Sequence, residues 1–196
     1  QLHLLEDHTG VYSAGSTGSV LWPAALGLIR LLDRKVANSS SGSTSAVELG
    51  AGLGAVGLFL SVHKGARVVL TDIPDSLPLL RRNVQECTGA ALPRVCLAEV
   101  KPLLWGRAEH LAQLGTYDWV VGSDITYRPE CLGDLLLTAS KLLAPSGRLV
   151  LTLQDRPGEK SRLEAACDCA SSPLELTRCD AMEIKENAVN FDRDTD

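Results

Sequence analysis

The stretch Glu48-Leu49-Gly50-Ala51-Gly52-Leu53-Gly54 decides the fold of this chain. A short apolar strand over Ala46–Leu49 runs into these glycines, and helical spacing of apolar residues begins directly after them, over Ala55–Lys64. Glycines let the backbone of such a turn come close to a bound molecule. The same region carries Gly52-x-Gly54-x-x-Gly57, the spacing of dinucleotide-binding turns. It therefore indicates a nucleotide-type cofactor, although it does not say which one.

Strand and helix patterns alternate along the chain on both sides of this turn. The remaining strands are predicted at Arg67–Thr71, Arg94–Ala98, Tyr117–Gly122, Arg148–Leu153 and Leu174–Thr177. The remaining helices are predicted at Pro23–Leu32, Leu77–Cys87, Leu132–Leu143 and Pro157–Ala170. Such alternation is typical of βαβ units, which form a parallel sheet covered by helices. Ligands of such sheets bind at the carboxyl ends of the strands.

Composition excludes several classes of protein. The chain has 196 residues, 45% of them hydrophobic, and a formal net charge of −5, so a strongly basic nucleic-acid footprint is absent. No apolar run reaches the roughly 18–20 residues that a membrane span needs, so we expect no membrane contact. Six cysteines are scattered without a CxxC pair, which favours free thiols in a reducing compartment, the cytoplasm or the nucleus, and no metal site.

A polar linker is predicted to divide the chain into two parts. We predict an N-terminal arm with a short helix over 1–35, a Ser-rich linker over 36–45 and a Rossmann-like core over 46–196. The core ends in an acidic tail, since six acids and two bases lie between Asp180 and Asp196. The tail carries most of the net charge, and the rest of the chain is nearly neutral.

Asp72 closes the predicted second strand, 22 residues after Gly50. A carboxylate there can accept both ribose hydroxyls of a nucleotide, or it can cap the helix that follows. Two classes of enzyme use such a turn and acid. A nicotinamide-dependent dehydrogenase would also need a substrate region with its own catalytic side chains, and this chain has room for little beyond one sheet. A methyltransferase needs less, because methyl transfer from a sulfonium mainly requires positioning of donor and acceptor.

Four further motifs accompany the glycine-rich turn. They are Trp22-Pro23-Ala24-Ala25, the acid Asp72, Leu104-Trp105-Gly106 and the D-x-x-Y tetrad Asp124-Ile125-Thr126-Tyr127. From about Gly18 to Arg156 the chain resembles the seven-β-strand protein methyltransferases of methyltransferase family 16, the protein-lysine methyltransferase group. The resemblance implies an α/β fold, a Rossmann-like seven-stranded sheet with helices on both faces. It also implies S-adenosylmethionine as the cofactor.

The resemblance also implies a role for each matching residue. The donor-binding residues would be Trp22, Glu48, Gly50, Gly52, Gly54, Asp72, Trp105 and Ser123. Of these, Asp72 would hold the ribose hydroxyls and Trp105 would pack against the adenine. The catalytic residues would be Asp124 and Tyr127, which would face the acceptor amine. An alternative for Asp124 is that it caps the following helix.

The acceptor is the least determined part of this prediction. A lysine side chain of a protein is the expected substrate, and the enzyme is expected to be a monomer. Arginine, histidine and small molecules are alternative acceptors, and a dinucleotide-binding domain or a non-catalytic scaffold is an alternative function. The seventh strand of the family is not visible in the polar, acidic segment Glu183–Asp196.

Overall fold

Five parallel strands form the sheet in the computed structural model, which describes residues 4–7, 17–38, 43–89 and 96–169. The strands are β1 (Ser45–Leu49), β2 (Arg67–Asp72), β3 (Ala98–Pro102), β4 (Tyr117–Ser123) and β5 (Leu143–Thr152). Their order is β3-β2-β1-β4-β5, and every neighbouring pair is parallel. Strands β2 and β3 follow β1 toward one edge of the sheet, whereas β4 and β5 lie on the other side of β1. The strand order therefore reverses between β1 and β4.

Helices cover both faces of this sheet. They are α1 (Pro23–Lys35), α2 (Ala55–Lys64), α3 (Leu77–Gly89), α4 (Ala108–Leu111), α5 (Leu132–Leu142) and α6 (Glu159–Cys169). One hydrophobic cluster joins α1, α2 and α3 to one face, and a second joins α4, α5 and α6 to the other. Neighbouring residues of β1 divide between them, with Ala46 in the first cluster and Val47 in the second. Both side-chain sets are buried, as expected for a parallel sheet.

The predicted α/β class and the helices on both faces are confirmed. Helix α2 spans Ala55–Lys64 as predicted, and α1 extends three residues beyond its predicted end because Val36 continues the buried face after Leu32. Strand β3 differs more, since it begins at Ala98, where the strand predicted at Arg94–Ala98 should end. The reason is its place at the edge of the sheet, where half-exposed polar side chains alternate with apolar ones and weaken the hydrophobic signal.

Some predictions concern residues outside the described ranges. They include the strand predicted at Leu174–Thr177, the acidic tail and the centre of the Ser-rich linker. Within the described ranges, no helix is long and apolar enough to cross a membrane. No group of three metal-binding side chains occurs there either.

Candidate active site

A cavity of about 640 Å³ opens at the carboxyl end of the sheet. Its lining includes nine of the ten predicted site residues: Trp22, Glu48, Gly50, Gly52, Asp72, Trp105, Ser123, Asp124 and Tyr127. They come from five separate stretches of chain. Four of these stretches lie at the carboxyl ends of β1, β2, β3 and β4, which the parallel sheet brings to one edge, and Trp22 precedes α1. The cavity lies where the strand order reverses, the usual ligand position in open α/β sheets.

The glycine-rich turn forms one wall of the cavity. Gly50 and Gly52 adopt φ angles of +59° and +52°, which L side chains rarely adopt. A Cβ at Gly50 would lie 2.7 Å from the side chain of Ile125, and one at Gly52 would lie 3.2 Å from the carbonyl oxygen of Gly18. The glycines thus allow both the turn and the close approach of its neighbours.

Gly54 is the predicted site residue that does not line the cavity. It immediately precedes α2 with a φ of +83°, and a Cβ there would lie 2.7 Å from Leu80 in the core. Its glycine is therefore required by backbone conformation and by packing against α3. Motif spacing alone does not separate such a position from one that faces a ligand.

Glu48 links the end of β1 to the first turn of α2. Its side chain is almost fully buried, and its Oε2 accepts a hydrogen bond of 2.7 Å from the backbone N–H of Gly57. Burial raises the pKa of Glu48 to about 8, and the nearby carboxylate of Asp72 adds to the increase. At neutral pH the carboxyl group is therefore mostly protonated, so it can donate a hydrogen bond as well as accept one.

Asp72 is held in place by two backbone N–H groups. Gly52 donates to its Oδ2 and Ile73 donates to its Oδ1, both at 2.7 Å. Burial raises the pKa of Asp72, while these hydrogen bonds oppose the increase. Each carboxylate oxygen has a second lone pair, so the group can still accept hydrogen bonds from a ligand. The arrangement fits the predicted contact with a pair of ribose hydroxyls.

Trp105 lies in the loop after β3, opposite the glycine-rich turn. Its ring carbon Cζ2 is 3.7 Å from where a Cβ of Gly50 would be, so the indole packs closely along that turn. The backbone N–H of Gly106 donates to the Thr138 hydroxyl of α5 at 2.9 Å and fixes the loop. Two exposed aliphatic side chains, Ile73 and Leu104, also line the cavity. This set suits a flat, largely apolar ring such as adenine.

Asp124 follows β4 and has an unusual backbone. Its φ is +54°, and it is the one non-glycine residue with positive φ in the part of the chain that the structure describes. Its backbone N–H donates to the carbonyl of Thr152 in β5 at 2.8 Å. Positive φ is uncommon outside glycine, and such conformations persist where the surroundings hold them. Here the carboxylate is also buried, with 5% of the side chain exposed.

A guanidinium group pairs with this carboxylate. Arg156 donates from Nη1 to Oδ1 of Asp124 at 2.5 Å and from Nη2 to Oδ2 at 2.7 Å. The pairing raises the pKa of Arg156, so the side chain stays charged. The guanidinium carbon also lies 5.9 Å from the ring centroid of Tyr127. Sequence reasoning missed Arg156, because its contact with Asp124 spans 32 residues and exists only since β4 and β5 are neighbours.

Fold and cavity together define a class of protein: an α/β protein of the Rossmann-like type with a nucleotide-sized cavity at its switch point. A solved methyltransferase from Pyrococcus furiosus has the same fold, with a TM-score of 0.56, 17% identity and coverage of 75% of this chain and 74% of that one. The family described as lysine methyltransferase matches residues 4–165. The chain belongs to this lysine methyltransferase family, as its motifs predict.

Individual relatives agree with this membership. Protein N-lysine methyltransferase METTL21A of Xenopus tropicalis is 35% identical over 68% of this chain and 59% of its own length. The EEF1A lysine methyltransferase 3 of Mus musculus is 35% identical over 69% of this chain and 55% of its own length. The chain thus matches between half and three fifths of the length of these two relatives.

Proposed function

We propose that this protein is an S-adenosylmethionine-dependent methyltransferase that methylates a lysine side chain of a protein. The observation that carries the proposal is that one cavity is lined both by seven of the eight predicted donor-binding residues and by Asp124 and Tyr127. A dinucleotide-binding scaffold would not need the second set. Membership of the lysine methyltransferase family and the names of the two relatives support lysine over other acceptors.

The donor-binding side of the cavity fits an adenosyl group with an attached amino acid. Asp72 would accept from the ribose hydroxyls, and Trp105 with its aliphatic neighbours would pack on the adenine. Gly50 and Gly52 would let the backbone approach the ligand, with Glu48 behind them. S-adenosylmethionine, when bound, supplies an electrophilic methyl group on a sulfonium.

On the acceptor side, the residues would orient an amine. The buried carboxylate of Asp124 would attract and align the nitrogen, and Tyr127, 42% exposed, would present its ring and hydroxyl near the entrance. Both oxygens of Asp124 already accept from Arg156, so we assign Asp124 an orienting role and leave the proton of the acceptor to water.

Calorimetry would test the donor first. We expect S-adenosylmethionine to bind and NAD not to bind. Asp72→Asn should weaken donor binding by about tenfold or more, because a neutral amide is a poorer acceptor at this position (roughly 1.4 kcal/mol per tenfold). Binding of NAD in preference to S-adenosylmethionine would contradict the proposal.

Methyl transfer would test the reaction. The protein, a tritiated methyl donor and a whole-cell extract should yield a labelled protein, and mass spectrometry of that band should locate methyllysine. Asp124→Asn keeps the residue size and tolerates positive φ, so it isolates the charge. We expect this variant to bind the donor normally and to label nothing. A fully active Asp124→Asn would remove Asp124 from the mechanism, and labelling of a small molecule alone would overturn the protein substrate.

We also infer that the protein acts as a monomer in the cytoplasm or the nucleus, on a protein partner. Cys87, Cys96 and Cys131 are free thiols, which is consistent with a reducing compartment. Cell fractionation and gel filtration of the whole protein would test both statements.

A further inference from the structure

A single side chain holds both residues on the acceptor side. The guanidinium of Arg156 donates two parallel hydrogen bonds to the carboxylate of Asp124 and lies over the ring of Tyr127. Arg156 therefore contacts the same two residues, Asp124 and Tyr127, that are expected to contact the acceptor amine. Arg156 also lines the cavity and is half-buried, so it belongs to the site.

Arg156 is itself fixed by a second layer of contacts. Its Nη1 also lies 3.1 Å from Oε2 of Glu159, the first residue of α6, whose side chain is 2% exposed. The other oxygen of Glu159 accepts from the hydroxyl of Thr126 at 2.6 Å. Thr126 is 1% exposed and sits two residues after Asp124. Hydrogen bonds thus run from Thr126 through Glu159 and Arg156 to Asp124, and they connect the end of β4 with the start of α6.

We propose that Arg156 is the positioning residue of the acceptor side: it orients the carboxylate of Asp124 and supports the ring of Tyr127, and Glu159 and Thr126 fix Arg156 in turn. This inference rests on the proposed function. Arg156 does not act on the acceptor directly. It acts by setting the plane and position of the groups that do.

The geometry of a guanidinium explains why arginine is needed here. Its planar fork matches both oxygens of a carboxylate and so fixes the plane of Asp124, whereas a lysine ammonium binds as a single point. Stacking over Tyr127 also needs a flat cation. The left-handed backbone of Asp124 makes such external support more important, because this conformation must be held by its surroundings.

The charges explain why the second layer is present. Asp124 and Glu159 are both nearly fully buried, and Arg156 is the cation that the structure places between them. Removing that cation would leave two buried carboxylates without their partner, which is strongly destabilising. Arg156→Lys keeps the positive charge and removes the fork, so it is the variant that separates geometry from charge.

Steady-state kinetics with a labelled lysine peptide or protein would test the inference. We expect Arg156→Lys to lower kcat/KM for the acceptor by about 100-fold, the typical effect of a misplacement near 1 Å, with donor affinity by calorimetry within threefold of the wild type. The matched control is Arg148→Lys. Arg148 also lies 5.9 Å from an aromatic centroid, that of Trp119, and it does not line the cavity. The control should keep its kcat/KM within twofold.

Two results would overturn the inference. One is an Arg156→Lys variant with kcat/KM within twofold of the wild type. The other is a variant that loses donor binding and activity in parallel, which would make Arg156 a general support of the fold. If Arg156→Lys does not fold, Thr126→Val replaces it, since it removes one hydrogen bond and keeps every charge. A three- to tenfold fall in kcat/KM then supports the inference, and an unchanged value contradicts it.

A readout without catalysis separates this inference from the proposed function. In NMR spectra of the wild type, the guanidinium N–H groups of Arg156 should be resolved and slow to exchange with water, because both Nη1 and Nη2 donate hydrogen bonds. Asp124→Asn should speed their exchange, and Arg148 signals should not change. A wild type that transfers no methyl group but shows these signals would refute the proposed function alone. Rapid exchange in an active wild type would refute the positioning role alone.

Discussion

Gly57→Ala examines the packing beneath the glycine-rich turn. Gly57 lies inside α2, where alanine is ordinarily the better helix former. A Cβ at this position would lie 2.3 Å from Cδ2 of Leu70, 2.9 Å from Oε2 of Glu48 and 3.0 Å from Cγ1 of Val68. The helix therefore approaches β1 and β2 closely because this residue has no side chain, and the backbone N–H of Gly57 reaches Glu48 for the same reason.

The expected magnitude follows from opposing effects. Helix propensity favours alanine by about 1 kcal/mol. Ordinary carbon contacts lie near 3.5–4.0 Å, so the methyl group of Leu70 would have to move by more than about 1 Å, and overpacking of this kind costs roughly 1–3 kcal/mol. Loss of the hydrogen bond between Gly57 and Glu48 would leave a buried donor unpaired, at about 1–3 kcal/mol. These terms together predict a fall in the free energy of unfolding of roughly 1–5 kcal/mol.

Urea denaturation at pH 7 would measure this change, with Gly27→Ala as the matched control. Gly27 lies inside α1, and a Cβ there would meet no heavy atom within 4 Å, so this variant should be stabilised by about 0.5–1 kcal/mol. Opposite signs for two substitutions of the same type would establish packing as the cause. Gly57→Ala with wild-type or greater stability would refute the close approach of α2 to the sheet.

Three further predictions concern groups around the cavity. Glu48→Gln should become more stable relative to the wild type, by up to a few kcal/mol, as the pH rises from about 5 to about 9. The reason is that the pKa of Glu48 is about 8 in the folded state and 4.5 ordinarily, so unfolding of the wild type releases a proton in this range. Urea titrations at several pH values would show no such trend if Glu48 were ionised in the folded state. Asn83→Ala should lower the free energy of unfolding by about 2–3 kcal/mol, since this fully buried amide is hydrogen-bonded to the backbone of Leu5 and to the carbonyl of Leu53. Donor binding measured by calorimetry should weaken as well, because Leu53 lies in the glycine-rich turn. Unchanged stability and unchanged donor binding would contradict the role of the contact between Asn83 and Leu53. Trp105→Leu should raise the dissociation constant of S-adenosylmethionine by about tenfold through lost ring contact, and an unchanged constant would remove Trp105 from the proposed adenine site (about 1.4 kcal/mol per tenfold).

Much of the fold could be predicted because its signals are local. Helix α2 and strands β1, β2 and β4 are largely buried apolar runs, and glycines or polar residues lie at their ends. These local signals define the elements within a residue or two. The sequence predicts β3 four residues too early, because an edge strand buries fewer apolar side chains and gives a weaker pattern. Its position is set by pairing with β2, from Val68 opposite Ala98 to Asp72 opposite Pro102.

The membership of the candidate site could also be predicted in large part. Asp72 is the last residue of β2 and Asp124 directly follows β4, and the carboxyl ends of parallel strands meet at one edge of the sheet whatever the details of packing. Sequence order and strand direction were therefore enough to place them around one cavity. Gly54 shows where this reasoning stops, since its position within the motif does not reveal that it faces Leu80 and the core.

The sequence by itself determined the alternation of strands and helices, the glycine-rich turn and the acids at the strand ends, since each of these depends on neighbouring residues. Only the tertiary structure decided how those acids are held. Arg156 reaches Asp124 because β5 lies beside β4, and it is fixed because α6 begins with a buried Glu159. Likewise the raised pKa of Glu48 comes from burial under α2. Such contacts join residues far apart in the chain, and their strength depends on the exclusion of water, which follows from packing and not from sequence order.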